Sequence, residues 1–356
     1  MSSSPNAQIM TTQLAFEVDG QDRPALAGGL LGLVITENTL GLYHCEAKFG
    51  NLGNVSGQPD YLYFDRRVLE FGKTFKVIFG SDTLFEGRIM ALEAQYPQNG
   101  PACIVVLAED RFQDLRMTRR TRTFENVSDS DVFNRIANDQ GLSPQIDVNG
   151  PNYKVLAQVN QSDLAFLRER ARIVGAELWL EGSTLHAQSR TGRAGQPVQL
   201  SFGAGLREFS VLADLAHQRT NLTASGWDVS GKAGLKYQAT DSAIQSELGN
   251  DLSGASVLRS ALGERKEAVV HEVPLSTQEA QAIAESYFRT HARRFLVGHG
   301  VAETSAKLRV GAMLDLQNLG PLFNGRYYVT EVHHLYDQAS GVRTEFTAER
   351  PGLGRV

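Results

Sequence analysis

A mainly β, α+β protein is expected: two similar antiparallel β-barrel domains, an α+β module inserted between them, and a helix-containing insertion in the second barrel. The first observation behind this is a repeat. Gly72-Lys73-Thr74-Phe75, Phe85-Glu86-Gly87-Arg88, Glu93, Gly100 and Glu109-Asp110-Arg111 occur in order in the first half. Gly311-Ala312-Met313-Leu314, Phe323-Asn324-Gly325-Arg326, Glu331, Gly341 and Ala348-Glu349-Arg350 follow about 240 residues later, with shifts of one or two residues where turns are expected. So long a period excludes a solenoid, whose units run roughly 20–50 residues. The second observation is strand-like alternation in both halves. The third is a switch to helical spacing between them.

Residues from about 13 to 112 read as β. Tyr43, Cys45, Ala47 and Phe49 alternate with His44, Glu46 and Lys48, as in a strand with one wet face. Phe75, Val77 and Phe79 repeat the pattern, as do Cys103, Val105 and Leu107. Gly80-Ser81-Asp82 and Pro97-Gln98-Asn99-Gly100 are turn clusters, so the strands meander as hairpins. Residues 50–57 are too polar and glycine-rich to hold a core. Near 123 the spacing changes. Ser128, with Asp131 three residues on, predicts a capped helix over about 129–140 that stops at Gly141. Ser162 starts a second helix with Leu164, Leu167, Ala171 and Val174 on one stripe and Gly175 as its end. Residues 177–180 and 184–187 form a hairpin around Glu181-Gly182-Ser183, and Thr191 to Pro197 is an exit linker.

The second β unit starts near Val198. Residues 230–262 are rich in Gly, Ser and Ala with weak periodicity, which predicts a mobile insertion rather than core. Ser276 and Glu279 then form a capping box, with Leu275 placed to staple onto Ala280. Ala280, Ile283, Ala284, Tyr287 and Phe288 make the apolar stripe, and Arg289, Arg293 and Arg294 suit the negative end of the helix dipole. The repeated strands run from about 307 to 350. These readings divide the chain into a first barrel (1–112), the α+β module (113–196), a second barrel (197–229 and 300–356), and a flexible insertion plus helix (230–299).

The 356 residues leave room for two or three domains, and 42% apolar residues suffice for real cores. A net charge of −5 gives no reason to expect nucleic acid or an anionic membrane as partner. Met1 to Asn6 lacks the basic start and apolar core of a signal peptide, and no run approaches the ~18–20 apolar residues of a membrane helix. Cytoplasmic synthesis and assembly are therefore expected. Cys45 and Cys103 sit in alternating strand patterns and read as buried free thiols.

No nucleophile elbow, phosphate-binding loop or dinucleotide fingerprint is present. His271-Glu272 opens like a zinc-protease motif, but Leu275 stands where the second histidine belongs and Pro274 blocks a helix. His333 and His334 are adjacent in a predicted strand, so their side chains point to opposite faces and cannot share a metal. Glu109-Asp110 and Glu349 hint at paired carboxylates, yet their matched places in the repeat favour a strand-end or interface role. Arg116, Arg119, Arg120 and Arg122 form the one basic cluster. Only Phe112 and Phe124 flank it, so a solvated strand or a salt-bridged contact with a neighbouring subunit is expected, not a nucleic-acid surface. Catalytic, cofactor-binding and metal-binding residues are all expected to be absent.

Four segments together resemble one family. Ser162-Asp163-Leu164-Ala165-Phe166-Leu167-Arg168, with Gly175 and the following hairpin, resembles the helix-hairpin signature of phage late control D proteins and of the hub region in type VI secretion spike proteins. Residues 122–129, Gly226-Trp227-Asp228, and Phe323 to Val329 with His334, Gly341 and Thr344 resemble further parts of that family, in the right order. The resemblance covers about residues 13–351. It implies a baseplate hub of a contractile tail or injection particle: a homotrimer whose tube-like barrels, two per chain, match a sixfold tube to a threefold spike. It implies a spike trimer below, a tail-tube or tube-initiator hexamer above, and contacts with baseplate wedge, tape-measure and cargo proteins. No enzyme activity, cofactor or membrane insertion is implied. Type VI spike proteins continue into an oligonucleotide-binding fold and a β-helix needle. This chain stops soon after the last strand, so the tip is expected on a separate polypeptide or has been removed. The alternatives are a tail-associated peptidoglycan hydrolase using Glu109 or Glu349, and a glycan-binding module.

Overall fold

The computed structural model describes residues 14–229 and 231–355. The leader reading at residues 1–6, and positions 13, 230 and 356 at the ends of predicted segments, lie outside them. The described residues divide into two compact units, one of residues 14–35, 44–109 and 336–341, the other of 36–43, 110–229, 231–335 and 342–355. As the sequence predicts, the fold is mainly β. The first sheet contains β1 (Leu14–Val18), β2 (Leu30–Asn38), β3 (His44–Gly50), β4 (Thr74–Phe79), β5 (Asp82–Gln95) and β6 (Cys103–Glu109). Their order across the sheet is β1-β4-β5-β6-β3-β2. The apolar members of the alternating pattern turn inward, and Phe16, Phe49 and Phe75 are fully buried. Phe16 meets Phe49 edge-on at 5.2 Å between ring centroids.

The second barrel is built from β7 (Val198–Phe202), β8 (Gly205–Ala213), β9 (Leu296–Ala302), β10 (Met313–Gln317), β11 (Gly325–Asp337) and β12 (Gly341–Arg350). The order is β7-β10-β11-β12-β9-β8, the first sheet's order strand for strand. The likeness extends to single hydrogen bonds. Gly72 N–H donates to Ile89 at 2.8 Å and Ile89 N–H to Lys73 at 2.9 Å; Gly311 donates to Val329 at 3.0 Å and Val329 to Ala312 at 2.9 Å. Both glycines have left-handed φ, +80° and +92°, which explains why this landmark recurs as glycine.

One strand breaks the likeness. β1 runs antiparallel to β4, whereas β7 runs parallel to β10. β7 also pairs in parallel with β8, through Ser201↔Gly205 and Phe202↔Leu206, and this pair closes the six strands into a barrel. Parallel neighbours ordinarily need a crossover of a dozen or more residues. Here only the end of one strand pairs with the start of the next. Gly203 and Gly205, at φ +86° and +85°, make the reversal that allows it.

Between the barrels, the α+β module packs helices α1 (Asp129–Asp139) and α2 (Asp163–Val174) on two small sheets. Both helices begin and end where the sequence predicts. Ser128 and Asp131 form the capping box, and Gly175 closes α2 at φ +69°. Strands 119–128 and 152–162 pair as an antiparallel ribbon that the sequence reading missed. Phe124, Phe133, Leu156, Leu164 and Leu167 share the module's core. Arg170 donates to both Asp129 carboxylate oxygens, at 2.6 and 3.1 Å, and Asp129 is fully buried.

Residues 230–262 correct the expectation of a mobile insertion without core. They contribute a strand (Ala233–Ala239) and helix α3 (Gly254–Leu262). Ile244, Leu248, Ala255 and Leu258 are buried. They pack with α4 (Thr277–Arg293), whose Ile283, Ala284 and Phe288 share a cluster with Ile244, Leu248 and Ala255. The staple at α4 is also corrected. Leu275 is 61% exposed, and the Glu279 carboxylate accepts the Leu275 N–H at 3.0 Å, one residue before the cap. Residues 50–57 hold no core, as expected, but Leu52–Val55 and Gln58–Tyr61 pair as a hairpin.

Asp129→Ala would strand the Arg170 guanidinium in a buried site. A loss of about 3–5 kcal/mol is expected, measured by urea unfolding followed through the tryptophan signal.

Candidate functional site

A set of buried charges lies where the module meets the second barrel, within the second unit. Its centre is the helical turn Arg190–Arg193, capped by the Ser189 hydroxyl, which replaces the start of the predicted linker. Glu177, on the strand Ala176–Glu181, takes Arg190 at 2.9 Å on one oxygen and Arg193 at 2.9 Å on the other. The second oxygen also accepts the Tyr328 hydroxyl at 2.5 Å. Arg190 continues to Glu349 on β12 at 2.7 Å. Arg193 donates to the Tyr43 hydroxyl at 2.8 Å and to the Val310 carbonyl at 2.9 Å. The two guanidiniums lie over Tyr328 and Trp179, at 4.7 and 4.4 Å from the ring centroids. Gly311 makes room: a Cβ there would sit 2.2 Å from Arg193 Nε. Nearby, Arg309 Nε donates to Glu37 at 2.8 Å, and the other Glu37 oxygen accepts the Val310 N–H at 3.2 Å.

Burial works against charge on Arg190, but Glu349 and Glu177 outweigh it and hold its pKa above the ordinary value. Burial pushes the Tyr43 hydroxyl up to about 12 and, helped by Glu177, lifts Tyr328 well above its usual range. Carboxylates matched to guanidiniums, with phenols kept protonated, make a fixed joint. Such a set holds geometry.

The predicted residues separate accordingly. Glu349 enters the joint as a partner of Arg190, a role legible only as a strand-end position. Glu109 belongs to the other unit and closes β6 opposite His44. Asp110 is buried and accepts the N–H groups of Tyr43 at 2.8 Å and Phe112 at 2.9 Å. His271 and Glu272 lie outside helix and strand. Their side chains meet the Tyr287 hydroxyl at 2.5 and 2.9 Å, and Arg172 reaches Glu272 at 2.6 Å. His333 Nδ1 lies 3.1 Å from the Thr36 hydroxyl, whereas His334 is buried on the opposite strand face, its Nδ1 2.8 Å from the Thr344 hydroxyl. Among the described residues, no group of three or more His, Cys, Asp or Glu could hold a metal. Cys45 and Cys103 are free and buried.

In the basic cluster, Arg120 and Arg122 are salt-bridged within the chain and not, as the sequence allowed, to a neighbouring subunit. Arg120 and Arg122 reach Asp163, the first residue of α2, at 3.2 and 2.8 Å, and Arg119 donates to the Asn160 carbonyl at 3.3 Å. Arg116 is exposed. Glu177, Arg190, Arg193, Tyr328, Glu37 and Arg309 were not singled out from the sequence. The one signal was Glu177, a charge sharing its strand face with Trp179.

No helix among the described residues is long and apolar enough to cross a membrane. A family model described as the Alg8 N-terminal domain matches residues 64–338. The sequence has no match among curated proteins. The prophage MuSo2 43 kDa tail protein from Shewanella oneidensis superposes with a TM-score of 0.70 at 13% identity, over 95% of this chain and 98% of that one. The tail protein from Neisseria meningitidis MC58 gives 0.67 at 13%, over 96% and 97%. An Escherichia coli component of the type VI secretion system gives 0.55 at 13%, over 96% and 79%. At these identities the likeness establishes a phage-tail-protein fold.

Two outcomes follow from the buried groups. Glu177→Gln removes the charge that two buried guanidiniums share, and a loss of about 3–5 kcal/mol in urea unfolding is expected. Burial depresses His334 from 6.5 to about 4. The unfolded chain therefore binds a proton, between those values, that the folded chain refuses. Stability is complete above about pH 6.5, falls by roughly 3 kcal/mol as pH drops to about 4, and is flat below. A pH series of urea midpoints on the wild type and His334→Phe checks it: this part of the decline should be missing in the variant.

Proposed function

The chain belongs to the Alg8 N-terminal domain family, and we propose that it is the structural hub of a contractile tail or injection-particle baseplate, akin to phage late control D proteins. It acts as a homotrimer. Three chains supply six barrels, so a sixfold tube above can seat on a threefold spike below. The observation that carries this reading is the identical strand order of the two sheets in one polypeptide. Two like barrels per chain are what a trimer needs to imitate a hexamer, because heterologous contacts close into a ring only when the step fits. The tail-protein fold of the structural relatives, one of them described as a type VI secretion component, supports the same setting.

The mechanism is geometric. The barrels form the ring, and the module with α4 braces it: α4 lies against α2, where the Ser286 hydroxyl donates to the Arg172 carbonyl at 2.5 Å. Its partners are a spike trimer, a tube or tube-initiator hexamer, and wedge, tape-measure and cargo proteins. Neither nucleic acid nor membrane insertion is needed. The role includes no catalysis; Glu349, one carboxylate of the hydrolase alternative, is bound to Arg190.

Light scattering on the purified chain with its spike protein should give three copies of the chain per complex. A persistent monomer in the presence of complete spike would overturn the hub reading.

A further inference from the structure

We infer that Asn149 is a site of spontaneous covalent modification, in which the Gly150 nitrogen attacks its side-chain amide and water converts the product to aspartate and isoaspartate. An Asn-Gly pair is where this ring closure is least hindered, because glycine has no side chain beside its nitrogen and its backbone turns freely. The sequence holds three such pairs, Asn99-Gly100, Asn149-Gly150 and Asn324-Gly325, and their surroundings differ. Asn149 and Gly150 are exposed, in the irregular stretch between the strands Ser143–Asp147 and Asn152–Ser162. Among the described residues, no hydrogen bond engages the Asn149 side chain or the Gly150 N–H. Asn324 is the opposite case. Its Oδ1 accepts the Leu319 N–H at 2.7 Å, its N–H donates to the Gly320 carbonyl at 2.9 Å, and its carbonyl accepts from Arg350 at 2.7 Å. Gly325 is paired with Leu316 in the β10–β11 ladder. Asn99 is exposed in the turn between β5 and β6 and is as open as Asn149.

Position 150 has a packing reason to be glycine. A Cβ there would sit 3.0 Å from Val174 Cγ1, at the end of α2, and 3.2 Å from Asp129 Oδ2. Close approach to the buried Asp129–Arg170 pair thus keeps the residue without a side chain, and the same lack leaves Asn149 unshielded. The step balances with water alone. The Gly150 nitrogen gives its proton to solvent and bonds to Asn149 Cγ; the Cγ–Nδ2 bond breaks and the side-chain nitrogen leaves as ammonia. Water then opens the cyclic imide at either carbonyl. Cleavage at Cγ leaves an ordinary aspartate. Cleavage at the backbone carbon leaves an isoaspartate, whose main chain is longer by a methylene. That longer chain displaces Gly150 from Val174 and Asp129, so the isoaspartyl product loosens the module beside its buried ion pair.

The test is a time course of the full chain in warm, mildly alkaline buffer, followed by peptide mass spectrometry with fragmentation that distinguishes isoaspartate. Conversion at Asn149 should keep pace with Asn99 and outpace Asn324 by at least about tenfold, because Asn324 must first release a hydrogen bond. Asn149→Gln, whose longer side chain closes a larger ring more slowly, should lose the signal at 149 and keep the wild-type circular dichroism. Urea midpoints should fall in the aged wild type. They should hold in aged Asn149→Gln, which still carries any change at Asn99, and in fresh Asn149→Asp, which has the charge without the longer backbone. If Asn149 converts no faster than Asn324 while Asn99 reacts, the proposal is overturned. If aged Asn149→Gln loses as much stability as the aged wild type, the loosening at the Asp129–Arg170 pair is overturned.

Discussion

Closure of a six-stranded sheet is the constraint on which the second barrel depends. Each short strand leaves N–H and C=O groups along its edges, and an open sheet of this size would present two rows of them to solvent or to another chain. The Ser201↔Gly205 and Phe202↔Leu206 pairs remove both edges at once. At this closure β7 runs parallel to both β8 and β10, opposite in sense to its counterpart β1, which is antiparallel to β4. The interior then fills with side chains from all sides, Leu206, Leu296, Leu314, Tyr327 and Phe346 among them. The left-handed glycines at 203 and 205 are the local condition for that closure.

The repeat is conserved as a ladder and relaxed at its connections. The link from the third to the fourth strand carries the hairpin at 52–61 in the first copy and is the short stretch 303–312 in the second. The link from the second to the third strand is 39–43 in the first copy and the whole 214–295 insertion in the second. Additions of this kind cost the sheet nothing, because loop closure grows only slowly with length, whereas an inserted residue inside a strand would flip every later side chain to the other face. A duplicated barrel can therefore diverge in what it presents to partners while keeping the same strand order.

Much of this was legible in the residues, for identifiable reasons. Alternation such as Phe75-Val77-Phe79 and caps such as Ser128 with Asp131 are local, and local chemistry survives tertiary context. Glycines 72 and 311 were visible because their backbone needs are the same in both copies. Other parts were hidden. The 230–262 stretch buries a few scattered residues, Ile244, Leu248, Ala255 and Leu258, among many exposed ones, so it carries little periodic hydrophobic signal, and the Glu279 carboxylate accepts the N–H of an exposed Leu275. The ribbon 119–128 with 152–162 was missed because its outer face bears Thr121, Thr123, Val155 and Val159 in the open, blurring the wet-dry alternation. The charged joint was the least legible. Glu177 and Glu349 are far apart in sequence, and no spacing rule connects them with residues 190 and 193.

That joint also has a physical logic that apolar packing would not supply. The module core and the barrel core are separate clusters, each centred on its own side chains. Joining them through greasy surfaces would tolerate many angles, since dispersion and hydrophobic burial are nearly non-directional. Buried ion pairs contribute little net stability over an apolar substitute, because desolvation offsets most of the attraction. They are demanding in direction, however. Glu177 satisfies Arg190, Arg193 and Tyr328 only if the strand 176–181, the turn 190–193 and β11 meet in one arrangement. Arg190 then adds β12 to the list through Glu349, and Arg193 adds the Val310 carbonyl and Tyr43. A charged joint between two apolar cores therefore adds directional constraint more than extra stability.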